Sequence, residues 1–158
     1  MTSRDVYVNG VAKSLVCSVS VPTEDLTFIL DPNQDERERF IAPTFSLINE
    51  TPASIRVTLK SFEQETDVFR DVLPTEYTDW SQLNKNQSKD IALALVPIRS
   101  DGWLTVDETP RYVANHSSVV LGEIKAKSTV DLTFEALHGQ AFIENLNSRY
   151  KLVFVFDF

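Results

Sequence analysis

The stretch Tyr150-Lys-Leu-Val-Phe-Val-Phe-Asp-Phe158 decides the class of fold. Apolar side chains occupy every second position on one side of this extended segment, whereas Lys151 and Asp157 lie on the other side. Chain ends normally fray. A strand as apolar as this one, lying at the end of the sequence, must therefore pair with a neighbour on at least one side. The sequence therefore predicts a sheet to which this stretch contributes a strand.

Alternation with a period of two recurs along most of the chain. In residues 55–60, Ile, Val and Leu alternate with Arg, Thr and Lys, which is typical of an antiparallel strand with one solvated face. Residues 128–136 alternate in the same way. Further strand-like runs, bounded by turn signals such as Asn9-Gly10, lie at 6–8, 14–21, 26–30, 40–41, 45–48, 90–97, 103–106, 111–113 and 118–124.

Helical periodicity is confined to residues 73–83, where Tyr77, Trp80 and Leu83 recur at spacings of three. This pattern predicts a helix of one or two turns, and residues 141–146 suggest a weaker second turn. We therefore predict an all-β fold, an antiparallel two-sheet β-sandwich of jelly-roll or Ig-like type, formed by residues 1–158 as a single domain. The predicted core contains Leu59, Ile91, Leu93, Leu132, Phe134, Leu152, Phe154 and Phe156.

Composition excludes several classes of partner. The 158 residues carry a formal net charge of −8, with a pI near 4.7, so clustered Lys and Arg for binding nucleic acid or an anionic membrane face are lacking. No apolar run is long enough for membrane insertion. Residues 1–20 lack the basic flank and apolar core of a signal peptide, so export by that route is not indicated.

Residues able to carry enzyme chemistry are few. Cys17 is the single cysteine and shares an alternating face with apolar residues, which predicts a small buried hydrophobe. His116 and His138 have no partner at metal-ligand spacing. The chain has only four glycines and lacks both a phosphate-binding loop and a G-x-S-x-G motif. We therefore predict a protein that is not an enzyme and has no cofactor.

One acidic stretch resembles a calcium loop. Asp31, Asn33 and Asp35 reproduce the first three oxygen ligands of an EF-hand, but Glu36 stands where that loop needs glycine and Ala42 where it needs a bidentate Glu. An EF-hand is excluded, and an irregular calcium site remains an alternative. The favoured interpretation is a solvated turn, because acidic loops far outnumber true calcium sites.

The N-terminal residues Val6, Tyr7 and Val8 form a short strand-like segment whose link to the domain is loosened by Asn9-Gly10 and Lys13-Ser14. Such a strand can pair with the open edge of its own sheet or of a neighbour's sheet. We predict that residues 1–12 are an exchangeable strand that joins copies of the chain. A frayed or internally paired terminus is the alternative.

The segments Val19-Ser-Val-Pro-Thr23, Phe28-Ile-Leu-Asp-Pro32 and Phe45-Ser-Leu-Ile-Asn-Glu-Thr-Pro-Ala-Ser-Ile-Arg-Val57 resemble secreted surface proteins of Gram-positive bacteria. The pattern is similar to matrix-fibre proteins of the TasA and camelysin type and to wall-binding WxL proteins. The Trp-x-Leu signature of the latter is absent, since Trp103 and Leu104 are adjacent. This resemblance implies a β-sandwich structural or adhesive component, and the first family assembles by lending an N-terminal strand to its neighbour.

Three functions follow as hypotheses. The first, which we predict, is a structural subunit that self-assembles with copies of itself into an extracellular or cell-surface filament or matrix. The second is a virion component, such as a capsid-decorating or tail protein. The third is an enzyme or carbohydrate-binding module that uses loops at the sheet ends, where Trp80, Trp103 and Tyr112 could stack on a sugar.

Overall fold

The structure, a computed structural model, describes all 158 residues and is almost entirely β. Four short 3-10 turns, Glu36–Glu38, Pro74–Glu76, Trp80–Gln82 and Val113–Asn115, are its only helical elements. The strands are β1 (Val19–Ser20), β2 (Ile29–Leu30), β3 (Phe40–Ile41), β4 (Phe45–Asn49), β5 (Ile55–Gln64), β6 (Arg70–Asp71), β7 (Asp90–Ile98), β8 (Trp103–Val106), β9 (Arg111–Tyr112), β10 (Val119–Ile124), β11 (Thr129–His138) and β12 (Tyr150–Asp157).

Two sheets face one another across a shared core. The six-stranded sheet has the order β1-β4-β11-β7-β6, with β9 also paired to β7, and the four-stranded sheet has the order β12-β5-β10-β8. Every pair is antiparallel except β6 with β7. A separate ribbon joins β2 and β3. The prediction of an antiparallel sandwich-like all-β fold is confirmed.

The core draws its buried side chains from both sheets. Of the predicted core residues, Leu59, Ile91, Leu93 and Leu132 are fully buried. The prediction is wrong in degree for Phe134, Leu152, Phe154 and Phe156, which pack against the core but stay partly exposed. Leu152, Phe154 and Phe156 lie on β12, which pairs with β5 on one side and has no neighbour on the other, and Phe134 of β11 lines the space beside this open edge.

An irregularity in β5 changes which of its residues face inward. Leu59 and Phe62 are both buried although they are three positions apart, because the pairing with β12 shifts register between Val153 and Phe154. The extra residue lies on β5, where Lys60 is skipped in the register. This bulge brings the Phe62 ring to 6.1 Å from that of Phe134.

The helix predicted over residues 73–83 is replaced by two separate 3-10 turns. Leu73 and Tyr77 keep extended backbone angles, so the chain does not continue from one turn into a helix. The second turn begins after Asp79, whose side chain accepts a hydrogen bond from the Ser81 backbone N–H. The Tyr77 and Trp80 rings contact edge to face, which explains the three-residue spacing. Residues 141–146 form no helical turn.

Residues 1–18 form no strand, which contradicts the strand prediction for residues 6–8 and most of that for residues 14–21. Only Val19–Ser20 joins a sheet, as the edge strand β1 beside β4. Cys17 is exposed, so the expectation of a buried cysteine is wrong. The alternation seen in this segment is therefore not used for packing within one copy of the chain.

Candidate assembly site

The first 17 residues, here called the arm, extend away from the domain. Val6, Tyr7 and Val8 are 86%, 85% and 89% exposed. Burying a valine side chain stabilises a protein by about 1.5–3 kcal/mol, and the arm gains none of this in a single copy. It is a strand-like apolar segment without a partner.

The arm leaves the domain at a fixed point. The Ser18 N–H donates to Thr51 Oγ1 at 2.8 Å, the Thr51 hydroxyl lies 3.1 Å from the Ser18 carbonyl oxygen, and the Glu50 N–H donates to that oxygen at 2.9 Å. Thr51 is fully buried. We call these contacts the Ser18–Thr51 clip. The free arm therefore ends at Cys17, and the packed part of the chain begins at Ser18, where these contacts are made.

Asn49 holds the turn that carries the clip. Its side-chain nitrogen donates to the carbonyl oxygens of Ala53, Ile124 and Lys125 at 2.8, 3.2 and 3.0 Å, and its side-chain oxygen accepts the Thr51 N–H at 2.9 Å. The residue is fully buried. Both amide hydrogens, one of them shared between two carbonyl oxygens, and the side-chain oxygen thus hold residues 49–54 closed against the neighbouring turn.

The strand β12 presents an unpaired edge. Antiparallel strands direct successive backbone polar groups to opposite sides. Since the Glu65 N–H donates to the Arg149 carbonyl oxygen at 2.7 Å, the odd-numbered residues of β12 bond to β5. The even-numbered residues therefore direct their N–H and C=O groups outward. These are the same residues whose apolar side chains face the core, so the edge is both apolar and rich in free hydrogen-bonding groups.

A groove of about 1200 Å³ runs beside this edge. Its apolar floor includes the rings of Phe45, Phe62, Phe134 and Phe154, and the Phe45 and Phe154 centroids are 6.3 Å apart. Residues 21–33 and 142–149 form its rims. The rims and the edge carry four acids, Glu24, Asp25, Asp31 and Glu144, against the two bases Arg149 and Lys151.

The arm, the open edge and the groove together match what strand addition needs. An incoming extended segment would receive main-chain hydrogen bonds from the edge and would place alternate side chains in the groove. Within one copy, the structure keeps Val6, Tyr7 and Val8 away from β12, since all three lie in water. The groove residues Phe45 and Phe62 were missed as site residues, because each reads as an ordinary core position in the sequence.

The acidic stretch forms an exposed turn. The Asp31 carboxylate accepts hydrogen bonds from the backbone and side-chain N–H groups of Asn33, at 3.0 Å each. It also accepts one from the side-chain N–H of Gln34 at 3.2 Å. These bonds, first of all that from the Asn33 backbone, lower the pKa of Asp31. Asp35 precedes a 3-10 turn without capping it through its side chain. Calcium binding by Asp31, Asn33 and Asp35 stays the untested alternative to a solvated turn.

The aromatic and histidine candidates are dispersed. Trp103 is buried in the core and donates to the Ile98 carbonyl oxygen at 3.0 Å, so it offers no face to a sugar. His138 lies 2.7 Å from the Gly139 carbonyl oxygen, and burial lowers its pKa. His116 contacts the Lys60 carbonyl oxygen at 3.1 Å. Both imidazoles thus make backbone contacts typical of structural residues.

The most buried ion pair lies away from the groove. Arg70 donates twice to Asp90, at 2.8 and 2.7 Å, and the Tyr77 hydroxyl donates to the same carboxylate. The Arg70 hydrogen bonds are the main cause that lowers the pKa of Asp90. Asp90 begins β7 beside β6, so the pair joins two strands whose pairing is short and parallel. We assign it a structural role.

Acid should weaken the fold through Asp90. A carboxyl group whose pKa is lower folded than unfolded contributes its full stability above the ordinary value near 3.8, and that stability is lost as pH falls through the folded value. We therefore expect the melting temperature to fall more steeply below about pH 4 in the parent than in Asp90→Asn. Thermal unfolding from pH 6 to pH 2 measures this. Parallel curves for the two proteins would contradict the assignment.

Comparison of the chain with protein-family models, with curated proteins and with solved structures finds no match. Among the elements of the structure, no helix has the length and apolar character needed to cross a membrane.

Proposed function

We propose that this chain is a non-enzymatic structural subunit that assembles with copies of itself by β-strand complementation. The observation that carries the proposal is the coexistence of an apolar, fully exposed arm and an open apolar edge in one molecule. Each lacks a partner in a single copy, and each supplies what the other lacks. A second copy is therefore the simplest occupant of the groove.

Charge supports the same occupant. The arm carries two bases, Arg4 and Lys13, and one acid, Asp5, so its formal charge is +1 while residues 18–158 carry the remaining −9. The rims of the groove carry more acids than bases. Opposite charge on arm and acceptor accelerates their encounter and disfavours contact between two acceptor surfaces.

The exposed edge of β12 supports a role in pairing with other copies. Proteins usually protect an open edge with charged residues, proline or a covering loop, because an unpaired strand recruits other chains. The exposed side chains of β12 include only two charges, Lys151 and Asp157, and Asp157 is already paired with Arg56 at 3.0 Å. Addition of an arm in a head-to-tail manner is a heterologous contact, which produces an open filament unless the rotation closes.

We further propose that the filament or matrix lies outside the cell or on its surface. The support is the resemblance of residues 19–23, 28–32 and 45–57 to secreted matrix-fibre and wall-binding proteins. Of the clip residues, Thr51 falls within a resembling segment and Ser18 immediately precedes one, at the point from which the arm departs. This location is the part of the proposal that depends on resemblance alone.

Deletion of residues 1–12 tests assembly. We expect full-length protein to form concentration-dependent polymers in light scattering and negative-stain microscopy. The deleted protein should stay a folded monomer with the same circular dichroism spectrum, because the removed residues are exposed and make no hydrogen bond to the domain. Monomeric full-length protein at high concentration, or undiminished polymers after the deletion, would refute the proposal.

A matched pair of variants separates apolar burial from charge. Val6→Asp with Val8→Asp adds two acids on the face that we expect to enter the groove. Tyr7→Asp with Asn9→Asp adds the same charge on the opposite face of the extended arm. Only the first variant should abolish polymers. Equal loss in both would mean that charge, not burial, governs assembly.

A further inference from the structure

We infer that the arm of one copy pairs antiparallel with β12 of the next, with Val6 and Val8 in the groove and Tyr7 on the solvated side. This inference rests on the proposed assembly and fixes its polarity. It follows from where the arm leaves the domain relative to the direction of β12.

The arm and the end of β12 lie at the same end of the sandwich. Val19 is paired with Asn49, so the arm leaves the domain beside residues 49–54. We call this the turn end. Asp157 is paired with Arg56 at the start of β5, which is also at the turn end, whereas Tyr150 is paired with Gln64 at the far end. β12 therefore runs from the far end to the turn end.

Three arrangements of the arm are considered, and only the first makes the arm antiparallel to β12. In a head-to-tail array, the arm leaves one turn end and meets the far end of the next copy. Its first residues then reach toward that copy's turn end, which makes it antiparallel to β12. In a two-fold dimer the turn ends face each other, and the arm runs parallel to β12. An arm folded back onto its own β12 also runs parallel.

The sheet favours the antiparallel arrangement. All pairs of the four-stranded sheet are antiparallel. The outer face of β12 is partly solvated, since Lys151, Val155 and Asp157 are exposed. Antiparallel sheets tolerate one solvated face, whereas parallel strands are normally buried on both faces and pair somewhat less stably. In the described copy the arm is not folded back, because its side chains lie in water.

The length of the arm suits this arrangement. β12 has 8 residues, which span about 26 Å at ~3.3 Å per residue. Residues 3–10 cover the same length and leave residues 11–17 to cross between copies, a reach of at most about 25 Å. The arm can thus fill the whole edge without unfolding β1.

Parity restricts the register to those that place Val6 and Val8 beside even-numbered residues of β12, and charge disfavours one of these registers. Val6 and Val8 share one side of the extended arm, and Asp5, Tyr7 and Asn9 share the other. Pairing Val6 with Phe154 places Val8 beside Leu152, both at the groove. A shift of two residues that pairs Val6 with Phe156 would bring Asp5 beside Asp157, and directly opposed like charges are destabilising.

Paired cysteines measure the strand direction. In a Cys17→Ser background, the register places Ser3 beside Asp157 and Asn9 beside Lys151. All of these positions are exposed in one copy. Ser3→Cys with Asp157→Cys, and Asn9→Cys with Lys151→Cys, should give ladders of dimers, trimers and larger species when treated with a short bis-maleimide. The exchanged combinations, Ser3→Cys with Lys151→Cys and Asn9→Cys with Asp157→Cys, are matched controls about 20 Å apart and should give no ladder.

Each outcome decides a different point. Dimers that form only with the exchanged combinations would establish a two-fold arrangement and overturn the antiparallel inference, while strand complementation would stand. Links within one chain, formed with the exchanged combinations, would establish a folded-back arm and overturn both. Absence of links in all four variants, with monomers in light scattering, would likewise overturn both. Circular dichroism of each variant verifies that it is folded.

Discussion

Phe62→Ala is expected to lower the free energy of unfolding by about 3–5 kcal/mol. Phe62 is 2% exposed and contacts the rings of Phe134 and Tyr150, with centroids 6.1 and 6.0 Å away. Removing the ring leaves a cavity between the sheets, because the bulge in β5 fixes the backbone around it. Urea unfolding followed by circular dichroism measures the loss, at a concentration where light scattering reports monomers.

Phe158→Ala is the matched control, since it removes the same side chain from an exposed position. We expect a change within about 0.5 kcal/mol. Phe154→Ala should fall between the two in a monomer, because its ring is only partly buried beside the groove. A loss for Phe62→Ala no larger than that for Phe158→Ala would contradict the assignment of Phe62 to the core.

Asn49→Ala is the second substitution with a large expected effect, about 3–4 kcal/mol. It leaves the three carbonyl oxygens and the Thr51 N–H without their partner. An unsatisfied buried polar group costs about 1–3 kcal/mol, and water entering the truncated site recovers part of the total. Thermal and urea unfolding measure the loss.

Asn86→Ala controls for the amino-acid change itself. Asn86 is exposed in the loop before β7, and we expect its replacement to change stability by less than about 0.5 kcal/mol.

A second readout for Asn49→Ala concerns the arm, because Thr51 is positioned by Asn49. Limited proteolysis should cut Asn49→Ala beyond Ser18, whereas the parent should be trimmed only within the arm. Identical cleavage patterns would mean that the clip does not depend on Asn49.

Most of the fold was predictable because its signals are local. The alternation in residues 55–60, 128–136 and 150–158 gave β5, β11 and β12 with the correct inward faces. Phe62 was not predicted, since the bulge that turns it inward lies in the pairing of β5 with β12, two strands far apart in the sequence. Alternation alone also misled, because Cys17 belongs to a strand-like pattern but is exposed and lies in no strand.

Only the arm of the candidate assembly site, and not the groove, could be predicted from the sequence. The composition of residues 6–8, Val-Tyr-Val, indicates a strand-like segment, and the weak link at Asn9-Gly10 suggests that this segment is free. The acceptor groove is assembled from segments far apart in the sequence, such as residues 21–33 and 142–154. No local sequence pattern predicts that these segments lie next to one another. The open side of β12 depends on strand order, which alternation does not determine.

The Ser18–Thr51 clip also has a mechanical consequence. If arms join successive copies, a pulling force on the fibre enters each domain at Ser18, where three hydrogen bonds and the two residues of β1 receive it. The force acts along the strand, so these bonds are loaded together in shear and do not open one after another. Should they break, β1 detaches from β4 and the chain behind it extends while the other strands of both sheets stay paired, so the fibre lengthens before the rest of any domain unfolds.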